Sequence, residues 1–193
     1  MVDRSTAVAM LAAGIGSRFG GGKLDADLGG KPVGRWAADA ADTVGFAKRI
    51  IVTPQTPPSF FGELEGWERV INASSDRGMA GSIRAAAVAA AGHKRLVIIL
   101  ADMPLIEADH LNRLADGNRV AFTLYADGSK GVPAAFPAAT FGSLAGLPDN
   151  HSPAALDWDT GVDVLEPRSA NALRDIDTAA DIAFIRSIVR MRR

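Results

Sequence analysis

The chain has 193 residues, of which 48% are hydrophobic, and this length supports one well-filled core and is short for two. Its 21 Lys and Arg residues against 22 Asp and Glu residues leave a net charge of -1, which excludes a protein that gathers nucleic acid or an anionic membrane by an overall basic field. The absence of cysteine excludes disulfides, thiolate nucleophiles and cysteine-based zinc sites, and the three histidines are too scattered for a zinc motif.

These properties predict a cytoplasmic protein with a single domain over residues 1–193. The N-terminus has too short an apolar stretch for a signal peptide and carries Asp3. Because no apolar run approaches the ~20 residues needed to cross a bilayer, we expect no membrane association.

Apolar runs suited to buried strands alternate with alanine-rich helical patterns along the chain. This alternation predicts an α/β domain with a mostly parallel sheet. The predicted strands are residues 6–12, 48–53, 69–71, 95–101, 119–125, 132–136 and 161–166. The predicted helices are residues 33–45, 59–64, 80–92, 107–116, 137–145 and 178–190. Residues 146–153 are the best candidate for a mobile loop.

Three predicted strands are followed by loops of unusual composition. These strands end near Ala12, Ile71 and Ala101. Ligands of open α/β sheets bind beyond the carboxyl ends of the strands, so we expect the three loops to form one site.

The first loop lies in the stretch AVAMLAAGIGSRFGGGKLD at residues 7–25, which is rich in glycine and contains Arg18 and Lys23. Its glycines follow G-x-G-x-x-x-G, one residue longer than the dinucleotide-binding motif, and the phosphate loop of ATPases would need Ser or Thr in place of Leu24. Glycine amides, the fork of Arg18 and the charge of Lys23 can instead converge on the oxygens of a nucleoside triphosphate. An ordinary strand-to-helix turn, in which the glycines only ease packing, is the alternative.

The segment LAAGIGSRFGGGKL resembles the N-terminal signature of the MobA-like nucleotidyltransferases, and within them of the molybdenum cofactor cytidylyltransferases. The resemblance continues through GMAGSIRAA at 78–86, LADMPLI at 100–106 and DIDTAADIA at 175–183, in the family's order and at its approximate spacing. It therefore covers nearly the whole chain. It implies a three-layer, Rossmann-like nucleotidyltransferase fold with a mostly parallel mixed sheet.

For nucleotide binding, the resemblance implies residues of the first and second loops. It places Ala12 and Ala13 beside the base, and LAAG goes with cytosine where guanine-using relatives tend to have LAGG. It gives Ser82 one hydrogen bond to the base or ribose, and a helix cap is the alternative for this serine. The implied nucleotide-binding residues are Leu11, Ala12, Ala13, Gly14, Gly16, Ser17, Arg18, Lys23, Gly78, Met79, Gly81 and Ser82.

Two carboxylates are the expected ligands of Mg²⁺, or of Mn²⁺. Asp102 follows the most continuous apolar run, and a carboxylate held at a strand end suits a divalent ion that also binds substrate phosphates. Asp177 precedes Thr178 and Asp181, which form a predicted capping box, and the resemblance places the second metal ligand in this DIDT segment. The alternatives are that Asp102 only caps a turn and that Asp177 or Asp175 only favours the positive end of the last helix.

These features predict an Mg²⁺-dependent transferase that moves CMP from CTP onto a small phosphorylated acceptor and releases pyrophosphate. Arg18, Lys23 and Asp102 are the predicted catalytic residues. The resemblance implies molybdopterin or the molybdenum cofactor as the acceptor, and a molybdoenzyme as a further partner. A phosphate acceptor is already ionised at neutral pH, so no general base is required, in agreement with the lack of a Ser-His-Asp or Cys-His pattern.

The acceptor side departs from the family pattern. The sequence GVP at 131–133 stands where relatives commonly have GHP, and DNHSPA at 149–154 stands where they have a GDRGAR-like loop. Asp25 and Asp27 replace residues that are usually apolar or proline and add negative charge near Lys23. Three alternatives stay open: transfer to a sugar phosphate or a phospholactate-like acid, or from GTP; a nucleotide-binding chaperone without catalysis; and a redox enzyme on a dinucleotide fold.

Several other residues of types that often bind ligands or catalyse reactions are expected to have structural roles instead. His93 and His110 are expected on the surface at helix edges, and the three tryptophans are expected to pack rather than to form a stacking platform. Arg84 is either solvated or reaches the phosphates.

Overall fold

The computed structural model describes residues 5–14, 19–73, 78–159 and 161–191. Within these residues, seven strands form one sheet: β1 (Thr6–Leu11), β2 (Lys48–Thr53), β3 (Trp67–Ile71), β4 (Arg95–Leu100), β5 (Val120–Leu124), β6 (Lys130–Pro137) and β7 (Val162–Leu165). The α-helices are α1 (Val33–Val44), α2 (Met79–Ala89), α3 (Ala108–Ala115), α4 (Phe141–Ala145) and α5 (Ala179–Met191). Short 3-10 helices lie at Lys23–Asp25, Ser59–Glu63, Ala138–Thr140 and Pro153–Ala155.

The strand order across the sheet is β3-β2-β1-β4-β6-β5-β7. The pairs β1/β2, β1/β4, β2/β3 and β5/β7 are parallel, whereas β6 is antiparallel to both of its neighbours. The prediction of a mostly parallel mixed sheet is confirmed.

The two faces of the sheet carry separate hydrophobic clusters, because successive side chains of a strand point to opposite faces. In β1, Val8 and Met10 belong to the cluster under α1, α3 and α5, while Ala7 and Ala9 belong to the cluster under α2 and α4. Every residue of β1 is buried, as expected for a central strand covered by helices on both faces. The predicted three-layer arrangement is confirmed.

Most element boundaries follow the predicted ones, and the differences have local causes. Residues 59–63 form a 3-10 helix, and the predicted helix 137–145 is a 3-10 turn followed by the short α4. The strand β6 begins at Lys130, two residues earlier than predicted, because Lys130 pairs with Leu124 across the β5–β6 hairpin. Cross-strand pairing, which local periodicity does not report, sets this boundary.

The prediction that His110 lies on the surface is wrong. His110 is fully buried where α3 packs against the sheet, and its Nε2 lies 2.8 Å from Thr123 Oγ1. The Thr123 hydroxyl donates to the Pro133 carbonyl, so its oxygen accepts from His110 Nε2–H, and His110 Nδ1 accepts from Arg113 at 3.0 Å. Burial, reinforced by the charge of Arg113, lowers the His110 pKa to about 4. The imidazole is therefore neutral at neutral pH.

The three tryptophans pack into the two clusters as predicted, with Trp67 buried and Trp36 and Trp158 partly buried. No helix in the described part of the chain is long and apolar enough to cross a membrane.

Candidate active site

The predicted site residues that the structure describes lie at or near the carboxyl edge of the sheet. Strands β1, β2, β3, β4 and β5 all run in the same direction, because the antiparallel β6 stands between β4 and β5. The loops that follow these five strands therefore leave the sheet on one side. Gly16, Ser17 and Arg18 of the first loop lie outside the described residues.

Lys23 reaches this edge from the first loop. Gly20, Gly21 and Gly22 have φ angles of 86°, 96° and 65°, a left-handed region that glycine adopts without steric cost. This turn leads into the 3-10 helix Lys23–Asp25, and the Lys23 side chain is only 9% exposed. These three glycines therefore allow the backbone turn that directs the Lys23 side chain into the protein.

The Lys23 ammonium lies between the two predicted metal ligands. Its Nζ is 2.7 Å from Asp102 Oδ2 and 3.4 Å from Asp177 Oδ1. The carboxylates are more open than the lysine, since the side chains of Asp102 and Asp177 are 22% and 39% exposed. The structure thus brings together three predicted residues that are far apart in sequence.

Two backbone features place Asp177 beside Asp102. The Ile176 amide donates to the Asp102 carbonyl at 3.0 Å, and the Ile176 side chain is fully buried. The predicted capping box of α5 is present: Asp181 Oδ2 accepts from the Thr178 amide at 2.7 Å, and Thr178 Oγ1 accepts from the Asp181 amide at 3.3 Å. Asp181 Oδ2 also accepts from the Asp177 amide at 3.1 Å, so the helix cap holds the backbone of the candidate ligand.

Opposite charges hold Lys23 in its protonated form. Burial alone would lower the pKa of Lys23, but the charge and hydrogen bond of Asp102, followed by those of Asp177, outweigh burial and raise the pKa above its ordinary value. The pKa of the neighbouring Asp175 is also raised, which for a carboxyl group favours the neutral form. Its burial, together with the charges of Asp102 and Asp177, raises the pKa of its carboxyl. Among the described residues, three carboxylates and the Lys23 ammonium therefore lie close together in this part of the molecule.

The two carboxylates match a divalent ion that takes its other ligands from a bound substrate and water. Asp102 and Asp177 converge on one cation at hydrogen-bonding distance, and Mg²⁺ is commonly held by one or two carboxylates with substrate phosphates and water. Over the described ranges, no group of three or more His, Cys, Asp or Glu side chains is placed to hold a metal ion.

The segment predicted to contact the base begins α2. Gly78, at φ 89°, is the N-cap residue, so a capping role for Ser82 is wrong. Ser82 is buried, and its Oγ accepts from Asn72 Nδ2 at 3.0 Å. A Cβ on Gly81 would lie 3.0 Å from the same Asn72 nitrogen, so glycine permits the close approach of this amide. Met79 is 46% exposed at the helix start.

The LAAG segment continues the pairing of β1. The Ala12 amide donates to the Val52 carbonyl at 2.8 Å, and the Ala101 amide donates to the Leu11 carbonyl at 3.1 Å. Leu11, Ala12 and Ala13 are buried, and Gly14 is exposed. The hydrogen bonding of β1 to its neighbouring strands therefore continues through Ala12 at the carboxyl edge of the sheet.

Asp25 has a structural role that sequence reasoning missed. Its carboxylate accepts from the Ser59 amide at 2.9 Å and from the Phe60 amide at 2.8 Å, at the start of a 3-10 helix. Asp27 likewise accepts from the Gly30 amide at 3.0 Å. Both carboxylates are engaged by the protein backbone.

Arg84 is partly exposed and forms hydrogen bonds within the protein. Its Nη1 donates to the Leu147 carbonyl at 2.6 Å, and its Nη2 donates to Asp149 Oδ1 at 2.7 Å. Residues 147–149 belong to the segment predicted to be mobile. Arg84 therefore ties α2 to this segment.

A cavity of about 380 Å³ lies between the start of α2, the end of β4, the β5–β6 hairpin and residues 150–153; we call it the hairpin pocket. It contains the two segments at which the sequence departs from the family pattern. Its lining residues are Met79, Ala80, Ile83, Leu100, Tyr125, Ser129, Lys130, Gly131, Val132, Asn150, His151, Ser152 and Pro153.

Asn72 and Tyr125 are site residues that sequence reasoning missed. Tyr125 lines the hairpin pocket, and its hydroxyl donates to the Val132 carbonyl. Burial, followed by the charges of Asp175 and Asp102, raises the pKa of Tyr125 to about 12. Each residue directly follows a strand that ends at the carboxyl edge of the sheet. This position in the sequence is the signal that could have identified them.

Comparison with known proteins gives one family and one fold. A family model described as "MobA-like NTP transferase domain" matches residues 8–159. Among curated proteins, no sequence matches this chain.

Several solved structures share the fold over nearly the whole chain. A nucleotidyl transferase from Methanothermobacter is 23% identical with a TM-score of 0.80, covering 99% of this chain and 100% of its own. Rv0371c from Mycobacterium tuberculosis is 24% identical with a TM-score of 0.78, covering 95% and 98%, and its complex with manganese superposes with a TM-score of 0.67 at 23% identity, covering 95% and 98%. Molybdopterin-guanine dinucleotide biosynthesis protein A from Archaeoglobus fulgidus is 16% identical with a TM-score of 0.70, covering 96% and 99%.

Proposed function

The chain belongs to the MobA-like NTP transferase family, and from this premise we propose that it transfers CMP from CTP to the phosphate of molybdopterin or the molybdenum cofactor and releases pyrophosphate. The observation that carries the proposal is the convergence of Lys23, Asp102 and Asp177 at the carboxyl edge of the sheet. This edge is where ligands bind in open α/β sheets. We place the reaction in the cytoplasm, with a molybdoenzyme as the recipient of the product.

The reaction exchanges one phosphoanhydride bond for another. An oxygen of the acceptor phosphate attacks the α-phosphorus of CTP, and the bond from that phosphorus to the bridging oxygen breaks as the electron pair leaves with pyrophosphate. The acceptor phosphate is already ionised at neutral pH, so no side chain has to remove a proton. The task of the protein is to align the reacting oxygens and to stabilise the developing negative charge.

Each predicted residue has a part in this task. Lys23, which stays protonated because its pKa is raised, and Arg18 neutralise the departing pyrophosphate. The glycine amides of the first loop orient the β- and γ-phosphates, as backbone N–H groups do in anion-binding turns. Ala12 and Ala13 leave room for cytosine, with Gly78, Met79, Gly81 and Ser82 along the base and ribose, and Leu11, Gly14, Gly16 and Ser17 complete the nucleotide site.

A divalent ion, Mg²⁺ or Mn²⁺, would be held by Asp102 and Asp177 and would supply positive charge at the α-phosphate and the acceptor oxygen. Two features support this assignment. The two carboxylates already converge on the Lys23 cation, and the mycobacterial relative of the same fold has a structure with manganese. Asp102 is oriented by its position two residues after β4, and Asp177 by the cap of α5.

The test is release of pyrophosphate from CTP by the purified full-length protein, with Mg²⁺ and molybdopterin present. We expect Lys23→Ala and Asp102→Ala to reduce turnover on the order of a hundredfold or more, as for loss of a charged group at a reacting phosphate, with unchanged circular dichroism. Lys48→Ala and Glu68→Ala remove an ion pair near the starts of β2 and β3, at the opposite edge of the sheet, and serve as matched controls. Near wild-type turnover in the site variants would remove these residues from the mechanism.

A second candidate is transfer of CMP to a different phosphorylated acceptor. It is favoured by the lining of the hairpin pocket, where Val132 and residues 150–153 replace the histidine and arginine of the family pattern. A panel of acceptors, run with CTP and GTP in parallel, separates the two candidates. CTP binding without pyrophosphate release for any acceptor would instead favour a non-catalytic nucleotide-binding role.

A further inference from the structure

The hairpin pocket has an apolar floor and little unused polar surface. Its floor comes from Ile83 of α2, Leu100 at the end of β4, Val132 of β6 and Pro153. Ile83, Val132 and Pro153 are buried. A ligand that entered this pocket would therefore lie against aliphatic carbon atoms.

Three polar side chains of the walls already have partners within the protein. The Tyr125 hydroxyl donates to the Val132 carbonyl, and Ser152 Oγ accepts from the Ala154 amide at 3.2 Å. His151 Nδ1 lies 3.0 Å from the Asp149 carbonyl oxygen. A polyhydroxylated ligand would find few free partners along the apolar floor, and a hydroxyl buried without a hydrogen bond loses its hydration without compensation.

The charge of the pocket is positive and localised. None of the described lining residues carries a carboxylate. Lys130 is exposed at the rim, and within the described residues it forms no ion pair. Its ammonium is a flexible point charge that suits a phosphate. Lys130 can therefore pair with one anionic group, and no other described lining residue carries a permanent positive charge that could pair with a second.

We infer that the hairpin pocket takes a phosphomonoester whose organic part is uncharged and presents an apolar face, such as a ring, and that Lys130 is the residue that selects for its phosphate. This inference rests on the proposed nucleotidyl transfer and names the acceptor class for the second candidate above, because the acidic dithiolene of molybdopterin would place a second anionic group in the pocket. Sugar phosphates are disfavoured because their hydroxyls would face the apolar floor. Phospholactate-like acids are disfavoured because their carboxylate would lack a cation.

The experiment measures binding of three probes to the full-length protein by calorimetry: phenyl phosphate, glucose 1-phosphate and phospholactate. Each is titrated with and without Mg²⁺ and α,β-methylene CTP, a CTP analogue that cannot release pyrophosphate. We expect phenyl phosphate to bind about tenfold more tightly than either other probe, which corresponds to about 1.4 kcal/mol. Lys130→Met should weaken phenyl phosphate binding by a similar factor and leave the affinity for the CTP analogue unchanged.

Two further variants make the test specific. Lys48→Met removes a lysine at the opposite edge of the sheet, at the start of β2, and should change none of the affinities. Val132→Thr keeps the side-chain volume but adds a hydroxyl to the floor, so it should reduce the preference for phenyl phosphate over glucose 1-phosphate.

The outcomes separate the inference from the proposed function. Equal or tighter binding of glucose 1-phosphate or phospholactate, no measurable binding of phenyl phosphate at millimolar concentration, or an unchanged affinity in Lys130→Met would overturn the inference. Failure of the CTP analogue to bind would overturn the proposed function, while the ratio of the probe affinities measured without nucleotide still decides the acceptor class.

Discussion

At the scale of single residues, the arrangement of Lys23, Asp102 and Asp177 has a consequence for metal binding. A divalent ion at these carboxylates would compete with the Lys23 ammonium, since Lys23 Nζ already lies 2.7 Å from Asp102 Oδ2 and 3.4 Å from Asp177 Oδ1. A triphosphate offers the ammonium other oxygens. Nucleotide binding should therefore release the carboxylates from Lys23 and favour metal binding.

This competition predicts that Lys23→Met binds Mn²⁺ more tightly than the wild-type protein when no nucleotide is present. We expect a gain of roughly tenfold, because a nearby positive charge is removed from the two carboxylates. Electron paramagnetic resonance of free Mn²⁺ measures the affinity directly. Lys48→Met, at an ion pair with Glu68 at the opposite edge of the sheet, is the control. Equal or weaker Mn²⁺ binding by Lys23→Met would contradict the competition.

At the scale of elements, hydrogen bonds from helices hold the two sides of the site. The capping box of α5 holds the backbone of Asp177, and Arg84 of α2 holds residues 147–149 through the Leu147 carbonyl and the Asp149 carboxylate. Residues 150–153, which follow directly, line the hairpin pocket together with Met79 and Ile83 of the same helix. Arg84 is therefore a positioning residue for one wall of that pocket.

The variant Arg84→Gln should raise the KM for the acceptor and leave the Kd for CTP unchanged. We expect an increase of about fivefold to tenfold, since the lost hydrogen bonds to a partly exposed segment contribute on the order of 1 kcal/mol. Arg84→Lys should show a smaller increase in KM, because one hydrogen-bond donor and the positive charge remain. Arg35→Gln breaks comparable bonds to Asp39 and the Glu63 carbonyl and should leave the acceptor KM unaltered. A parallel rise in the Kd for CTP would show that Arg84 acts on the whole of α2.

At the scale of the whole molecule, the buried histidine links α3 to the hairpin strands. His110 contacts Thr123 of β5, whose hydroxyl donates to Pro133 of β6. The folded protein holds this imidazole neutral, with a pKa of about 4, whereas in the unfolded chain its pKa returns to about 6.5. Between these values the unfolded state binds more protons, so stability falls as the pH falls.

Urea unfolding should therefore show a lower free energy of unfolding at about pH 5 than at about pH 7, with about 1–2 kcal/mol of the loss arising from His110. His110→Gln should remove most of that dependence, although its stability at pH 7 is reduced. The exposed His151 gives the control: His151→Gln should retain the wild-type slope. A slope unchanged in His110→Gln would show that other groups cause the acid sensitivity.

Local patterns in the sequence were sufficient for the elements and for some contacts within them. The strand predicted at 48–53 is β2 with the same bounds, and the capping box of Thr178 and Asp181 is present as predicted. These features depend on neighbours within four residues, where periodicity and backbone hydrogen bonding act directly. The burial of His110 and the backbone contacts of Asp25 were missed, because each partner belongs to a distant segment.

By itself, the sequence determined the order of strands and helices, the glycine turn that precedes Lys23 and the placement of Asp102 at a strand end. Only the tertiary structure decided that Lys23 meets Asp177 across 154 residues, that β6 runs antiparallel between β4 and β5, and that the β5–β6 hairpin forms a pocket with the start of α2 and the end of β4. The reason is physical: turn chemistry and side-chain periodicity act over a few residues, whereas distances along the sheet edge depend on which strands become neighbours.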